Sequence, residues 1–260
     1  MKMKILAVLV GSMGLVVSAQ AAPIVANNAN VGAWTVGSGQ VNGAFTTATE
    51  VQTFGNTAAP LQLGLRAQQR FIGPITPDGG NSNVYTVPTG NPGSTPAPRA
   101  NWNVDFSIYA PVGGLTSAQL GAFITAGHPG VNFNLRLDMN DGDPTVSRNI
   151  DLLSPTPGTG GYGGILSSFF LGANSTQQAN SENLGFGYMF GGLFNPANQH
   201  WVYAKLTAQI GDNPELSVDA CFHTRDASAT CEGRIPLPGT VALLGLGLLG
   251  LRARRAKAVA

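Results

Sequence analysis

The side chains best suited to chemistry in this chain are the oxygen ligands of one short acidic stretch. Hard cations such as Ca²⁺ bind several oxygen ligands on a tight loop. The stretch supplies four candidate ligands: Asp138, Asn140, Asp141 and Asp143. However, Gly142 and Asn149 stand where an EF-hand loop has an oxygen ligand and its bidentate Glu. We expect either a calcium site or a strand-ending turn, because Asn, Asp and Gly are also the usual turn residues.

Catalytic motifs are absent from the sequence. There is no Gly-x-Ser-x-Gly nucleophile elbow and no paired-histidine metal motif. The histidines are isolated and are expected in loops or on strand surfaces: His128, His200 and His223. A β-sandwich hydrolase needs only two carboxylates, so a pair such as Asp105 and Asp151 keeps that alternative open. The sequence favours a protein that is not an enzyme.

Cys221 and Cys231 are the only cysteines. In an exported protein, two cysteines close in sequence indicate a disulfide. A metal pair and two free thiols are the alternatives. Both are less favoured in an oxidising compartment, and no other cysteine completes a zinc site.

The charges divide the chain into a body and two terminal segments. Six of the 14 basic residues lie at the ends of the chain, whereas all 13 acidic residues lie between Glu50 and Glu232. The body, residues 22–233, with the adjoining Arg234, therefore has a net charge of −5. Such a body offers no basic surface for nucleic acid.

Residues 1–21 have the three parts of a secretory signal peptide. Two lysines form the charged start, and the apolar run over 5–17 is too short for a typical spanning helix. Ala19 and Ala21 then occupy the −3 and −1 positions of a cleavage site. We expect signal peptidase to cut after Ala21; the alternative is an uncleaved membrane anchor.

The C-terminal segment, residues 234–257, carries a short apolar run between a proline element and a basic cluster. The element is Pro236, Leu237 and Pro238, the apolar run spans 241–251, and the cluster is Arg252, Arg254, Arg255 and Lys257. As a transmembrane helix the run would rise only about 16 Å, short of a hydrocarbon core of ~30 Å. The positive-inside rule keeps the cluster cytoplasmic, so the proline element would lie extended outside the inner membrane.

This order of parts resembles the PEP-CTERM sorting tail of exported Gram-negative bacterial proteins, although the family motif has Glu where this chain has Leu237. The resemblance implies recognition by an exosortase, a membrane-embedded cysteine protease. It also implies delivery through the inner membrane to the outer surface or matrix, in association with exopolysaccharide and biofilm. The alternatives are a plain membrane anchor and a buried C-terminal helix, although a buried helix would not end in four basic residues within six positions. Four stretches of the body also resemble sequence segments that recur in such proteins: 65–74, 102–106, 180–186 and 194–196.

Alternating apolar residues predict strands in the body. The pattern occurs at 61–65, 104–108, 131–137, 202–210 and 216–222, and Gly211 to Pro214 supplies a hairpin turn between the last two. One-sided alternation predicts an all-β fold, an antiparallel β-sandwich or jelly-roll-like body. The Pro- and Gly-rich stretch 74–100 is expected to be a surface loop or linker, and one short helix is expected at 116–124.

Together these features predict an exported structural or interaction protein of the cell surface or extracellular matrix. No cofactor is expected apart from the calcium considered above. The alternative is a carbohydrate- or calcium-binding module anchored to the envelope.

Overall fold

A computed structural model describes residues 24–30, 44–69, 72–80, 82–90, 99–109, 130–140, 145–153 and 177–224. These segments contain β-strands and two short 3-10 turns, with no α-helix among them. The strands are β1 (Ile24–Asn30), β2 (Ala44–Phe54), β3 (Thr57–Gln69), β4 (Gly73–Pro74), β5 (Val84–Val87), β6 (Asn103–Tyr109), β7 (Val131–Asn140), β8 (Val146–Asp151), β9 (Gln177–Glu182), β10 (Trp201–Ile210) and β11 (Leu216–Thr224).

The strands form two sheets. Sheet A has the order β1-β2-β3-β6-β9, with β4 paired to β3, and sheet B has the order β5-β11-β10-β7-β8. Neighbouring strands are antiparallel, except that β5 pairs with β11 in parallel.

The two sheets pack against each other through β2 and β3 of sheet A and β10 and β11 of sheet B. Residues of β2, β3, β5, β6, β7, β8, β10 and β11 on the facing sides of the two sheets form a buried core, because successive side chains of a strand point to opposite faces. Members from the two sheets include Leu61, Leu63, Leu65, Val104, Phe106, Phe133, Leu135, Leu137, Val202, Leu206, Val218 and Phe222. The expected all-β class, with two sheets, is confirmed.

The turn between β10 and β11 forms where the sequence predicts it. Gly211 has a φ of 56°, a left-handed conformation that glycine adopts without steric cost. The Asn213 side chain accepts the Thr53 N–H at 3.1 Å and donates to the Thr53 carbonyl at 2.9 Å. These bonds fasten the hairpin of sheet B to the end of β2 in sheet A.

The stretch 74–100, expected to be a loop or linker, contains a strand. Residues 84–87 form β5, and the side chains of Tyr85 and Val87 join the core. The Tyr85 hydroxyl lies 2.9 Å from the Thr46 hydroxyl of sheet A. A strand of four residues between prolines shows too little alternation to be recognised from sequence.

The predicted helix at 116–124 lies outside the described residues. In the part of the chain that the structure describes, no helix is long and apolar enough to cross a membrane. The apolar run at 241–251 is outside that part.

Candidate functional site

Most residues that the sequence singles out lie outside the described segments. They are the cleavage residues Ala19 and Ala21, the sorting element at 236–238, the basic cluster at 252–257, and Asp141, Asp143, His128 and Cys231. The predictions for these residues stay predictions.

Asp138 is bound within sheet B. It lies on β7, is 1% exposed, and has Arg136 Nη2 at 3.2 Å from one carboxylate oxygen. Ser147 Oγ donates to the other oxygen at 2.6 Å. No group of three or more His, Cys, Asp or Glu among the described residues is placed to hold a metal ion. The calcium prediction, which also requires Asp141 and Asp143, stays a prediction.

The two carboxylates considered for a hydrolase lie on different sheets. Asp105 is on β6 in sheet A, whereas Asp151 ends β8 in sheet B. Asp151 Oδ1 accepts the N–H of Leu153 at 2.9 Å, a local turn contact. The structure therefore gives each carboxylate its own surroundings and does not pair them.

The two described histidines also have separate surroundings. His200 is only 2% exposed and stacks on Trp102 with 6.0 Å between ring centroids. It lies in the loop before β10, which is one of the expected positions, but its side chain is buried. His223 Nε2 lies 3.2 Å from Asp78 Oδ2, and its Nδ1 lies 3.1 Å from the Thr224 carbonyl oxygen.

Cys221 is disulfide-bonded. It is 1% exposed on β11 and packs with Trp201, Tyr203 and Val84. Its expected partner, Cys231, lies outside the described residues, so the pairing itself stays a prediction.

We expect Cys231→Ser to lower the free energy of unfolding by about 2–3 kcal/mol, because a closed loop of this size restricts the unfolded chain. Urea denaturation measures the loss, and non-reducing peptide maps should link the peptides of Cys221 and Cys231 in the unmodified protein. Adding a reductant should destabilise the unmodified protein and leave the variant unchanged. Quantitative alkylation of both thiols before reduction would contradict the pairing.

The densest set of polar side chains lies on the outer face of sheet A, opposite the core. Cross-strand pairing places Arg66 beside Asp105, and Asp105 beside Ser181. The next position on this face pairs Gln68 with Asn103. These five residues and the neighbouring Asn183 are named here the sheet A polar network. Each of the six is less than a tenth exposed.

The network joins β3, β6 and β9. Arg66 Nε lies 2.9 Å from Asp105 Oδ2, and Arg66 Nη2 donates to Gln68 Oε1 at 2.9 Å. Asn103 Nδ2 donates to Ser181 Oγ at 2.9 Å, and Asn183 Nδ2 donates to Asn103 Oδ1 at 2.8 Å. Buried polar groups are tolerated when such bonds replace those made to water.

Phe45 of β2 covers one side of this network. Its ring centroid is 4.3 Å from the Arg66 guanidinium carbon. The ring occupies space next to Gly64, where an added Cβ would lie only 3.1 Å from Phe45 Cδ1. Glycine at this point of β3 therefore lets the ring lie flat against the sheet beside the cation.

Asp105 carries a charge at neutral pH despite complete burial. Burial raises the pKa of its carboxyl to about 6, while the Arg66 cation and the hydrogen bond from Ser181 act in the opposite direction. The carboxylate and the guanidinium therefore form an ion pair inside the protein at pH 7.

Glu182 is a second buried carboxyl, on the other face of β9. It pairs across the strands with the core residue Val104 and is 2% exposed. Burial raises the pKa of Glu182 to about 8, and the charge of Asp105 adds to the rise. The Tyr188 hydroxyl donates to Glu182 Oε2. Burial also raises the pKa of Tyr188, so this hydroxyl keeps its proton.

A neutral carboxylic acid near an ionised carboxylate is a combination that hydrolases use. Here Asp105 is held by Arg66, and both carboxyls are buried, so a substrate could reach them only after the surrounding side chains moved. The arrangement fits a clamp that holds three strands together.

The network was not predicted as a site, although its members come from stretches noted in the sequence. Arg66 and Gln68 belong to 65–74, Asn103 and Asp105 to 102–106, and the others to 180–186. Within each strand these polar residues occupy the positions that alternation assigns to solvent. Only their cross-strand pairing reveals that they meet.

Comparison of the chain with protein-family models, with curated proteins and with solved structures found no match.

Proposed function

We propose that this chain is an exported structural or interaction protein of the cell surface or extracellular matrix, sorted by an exosortase and associated with exopolysaccharide. The observation that carries the proposal is the C-terminal order of proline element, short apolar run and basic cluster. A helix of this length is too short for a stable anchor and suits a transient stop in the inner membrane.

The arrangement of the body supports removal of the tail. The last described strand, β11, ends at Thr224, before the tail begins at residue 234. Every strand among the described residues precedes the proline element, so cleavage there would leave the described strands in place. The buried polar network, which joins β3, β6 and β9, also supports a structural role for the body.

We expect mature protein at the cell surface to begin at Ala22 and to lack everything beyond about Pro238, including the four basic residues. Mass spectrometry of both terminal peptides tests this. Replacing Pro236 and Pro238 with Ala should let the helix extend and remove the extended recognition element, so uncleaved protein should accumulate in the inner membrane. Deleting the exosortase should have the same effect.

Pro214→Ala is the matched control, because this proline lies exposed in the β10–β11 turn. The control should be processed as the unmodified protein is. Surface-located unmodified protein that still carries Arg255 and Lys257 would identify the tail as a plain anchor and contradict the proposal.

A further inference from the structure

A hydrogen-bonded loop follows β9 and partly exposes two aromatic rings, those of Phe186 and Tyr188. Residues 185–194, named here the aromatic loop, are closed by backbone bonds: the N–H groups of Met189 and Gly191 donate to the Phe186 carbonyl at 2.9 and 3.0 Å. Tyr188 is further held by its hydroxyl, which donates to the buried Glu182. The ring positions are therefore set by contacts within the protein.

The exposed side of the loop is apolar and little obstructed. The rings of Phe186 and Tyr188 are stacked, with centroids 5.6 Å apart and planes at 27°, and both are partly exposed. Leu193 is 54% exposed. Gly187 and Gly192 are exposed and have open space where a side chain would be. Such an apolar surface can cover the apolar C–H face of a sugar ring.

Two arginines from other segments contact rings of the loop, one of them partly exposed and the other, Phe190, buried. The guanidinium carbon of Arg99 is 4.9 Å from the centroid of Phe186, and that of Arg148 is 5.9 Å from the centroid of Phe190. Arg148 Nε also donates to the Met189 carbonyl at 2.9 Å, which fastens it to the loop.

The positive charge of this surface is not neutralised within the described protein. The salt bridges between described residues involve Arg66, Arg136, Lys205 and His223, and none joins Arg99 or Arg148 to a carboxylate. Glu182, which accepts the hydroxyl hydrogen bond of Tyr188 in the loop, is neutral at pH 7 because burial raises its pKa to about 8. Two cations therefore lie at the aromatic loop, Arg99 beside the partly exposed Phe186 and Arg148 over the buried Phe190, on a body that is acidic as a whole.

We infer that the aromatic loop, with Arg99 and Arg148, binds an acidic polysaccharide whose sugar units carry carboxylates. The rings would pack against the sugar faces, and the guanidinium groups would bind the carboxylates through charge-assisted hydrogen bonds. This inference rests on the proposed association with exopolysaccharide and names the kind of polymer and the surface that binds it. The rings of Phe186 and Tyr188 favour a sugar polymer over a membrane, because they are partly buried and stacked on each other, whereas an insertion anchor must project its side chain.

The test is affinity electrophoresis of the full-length exported protein in native gels that contain polygalacturonate, with neutral dextran for comparison. We expect retardation by polygalacturonate and none by dextran. The double variant Arg99→Gln/Arg148→Gln should bind about tenfold more weakly, because two charge-assisted contacts are lost. Phe186→Leu, which retains apolar bulk but removes the flat ring, should also weaken binding.

The matched control is Arg136→Gln/Lys205→Gln, which removes the same number of charges from the outer face of sheet B. This variant should bind polygalacturonate as the unmodified protein does, and thermal melting should verify that all variants are folded. The inference would be overturned if both double variants lost binding equally or if the unmodified protein were not retarded by polygalacturonate. Binding to anionic lipid vesicles instead of polygalacturonate would also overturn it. If the protein is processed correctly at its C-terminus but does not bind the polymer, only the inferred ligand is contradicted. The sorting proposal then stands.

Discussion

Replacing Arg66 with methionine is expected to lower the free energy of unfolding by about 3–5 kcal/mol at neutral pH. The side chains of Arg66 and Asp105 are both fully buried, and their closest atoms are 2.9 Å apart. Removing the cation leaves a buried carboxylate without its compensating charge, and the stacking of Arg66 on Phe45 is lost as well. Urea denaturation followed by tryptophan fluorescence measures the change.

Two further measurements separate the charge effect from simple loss of packing. The destabilisation should be smaller at pH 5 than at pH 8, because protonation of Asp105 removes the uncompensated charge. The double variant Arg66→Met/Asp105→Leu should recover part of the lost stability, since apolar residues of similar volume often replace a buried ion pair at little cost.

The matched control is Lys205→Met. Lys205 forms a salt bridge with Glu215, and the two side chains are 35% and 49% exposed. Loss of such a solvent-exposed ion pair should cost less than about 1 kcal/mol. Equal costs at positions 66 and 205 would show that the polar network does not clamp sheet A.

The second large effect concerns pH. The stability of the protein is expected to fall as pH rises from about 4.5 to about 8, by an amount on the order of 3–5 kcal/mol. Burial raises the pKa of Glu182 from 4.5 to about 8. Between these values the folded state keeps a proton that the unfolded state has released, so each rise in pH favours unfolding. Asp105, whose pKa burial raises to about 6, acts in the same direction below that pH.

Glu182→Gln should remove most of this dependence between pH 6 and pH 8. Glutamine is neutral at every pH, and its amide oxygen can still accept a hydrogen bond from the Tyr188 hydroxyl. The variant should therefore match the unmodified protein near pH 4.5 and exceed its stability at pH 8.5 in thermal melts.

Glu215→Gln is the control for the pH experiment, because Glu215 lies at the surface with 49% of its side chain exposed. It should leave the pH profile unchanged. A Glu182→Gln profile that parallels that of the unmodified protein would contradict the assignment of a neutral, buried carboxyl.

The first experiment concerns polar residues that the sequence pattern places at solvent-facing positions of strands. In β3, Arg66 and Gln68 alternate with Leu65 and Ala67, which is the usual pattern of a strand with one wet face. Their burial depends on what else packs against that face, which no local pattern contains. For the same reason, the aromatic loop and its two arginines could not be recognised as one surface before folding.

The sequence by itself determined the features that depend on neighbouring residues. Period-two alternation identified β6, β7, β10 and β11, because a strand turns successive side chains to opposite faces. The turn at Gly211 was likewise predicted from the sequence, because glycine adopts the left-handed backbone conformation found there. The terminal signals are local patterns too, and they remain the basis for the proposed sorting.

Only the tertiary structure decided which distant residues meet. Arg66 and Asp105 are 39 positions apart, and Asn103 and Ser181 are 78 apart, yet adjacent strands bring each pair into hydrogen-bond contact. Strand β5 exists because the edge of β11 offers it backbone partners, and Asn83 beside it bonds to Asp219 across 136 positions. Strand pairing, burial and the resulting pKa of Glu182 all depend on which strands become neighbours, and that order arises only when the whole chain has packed.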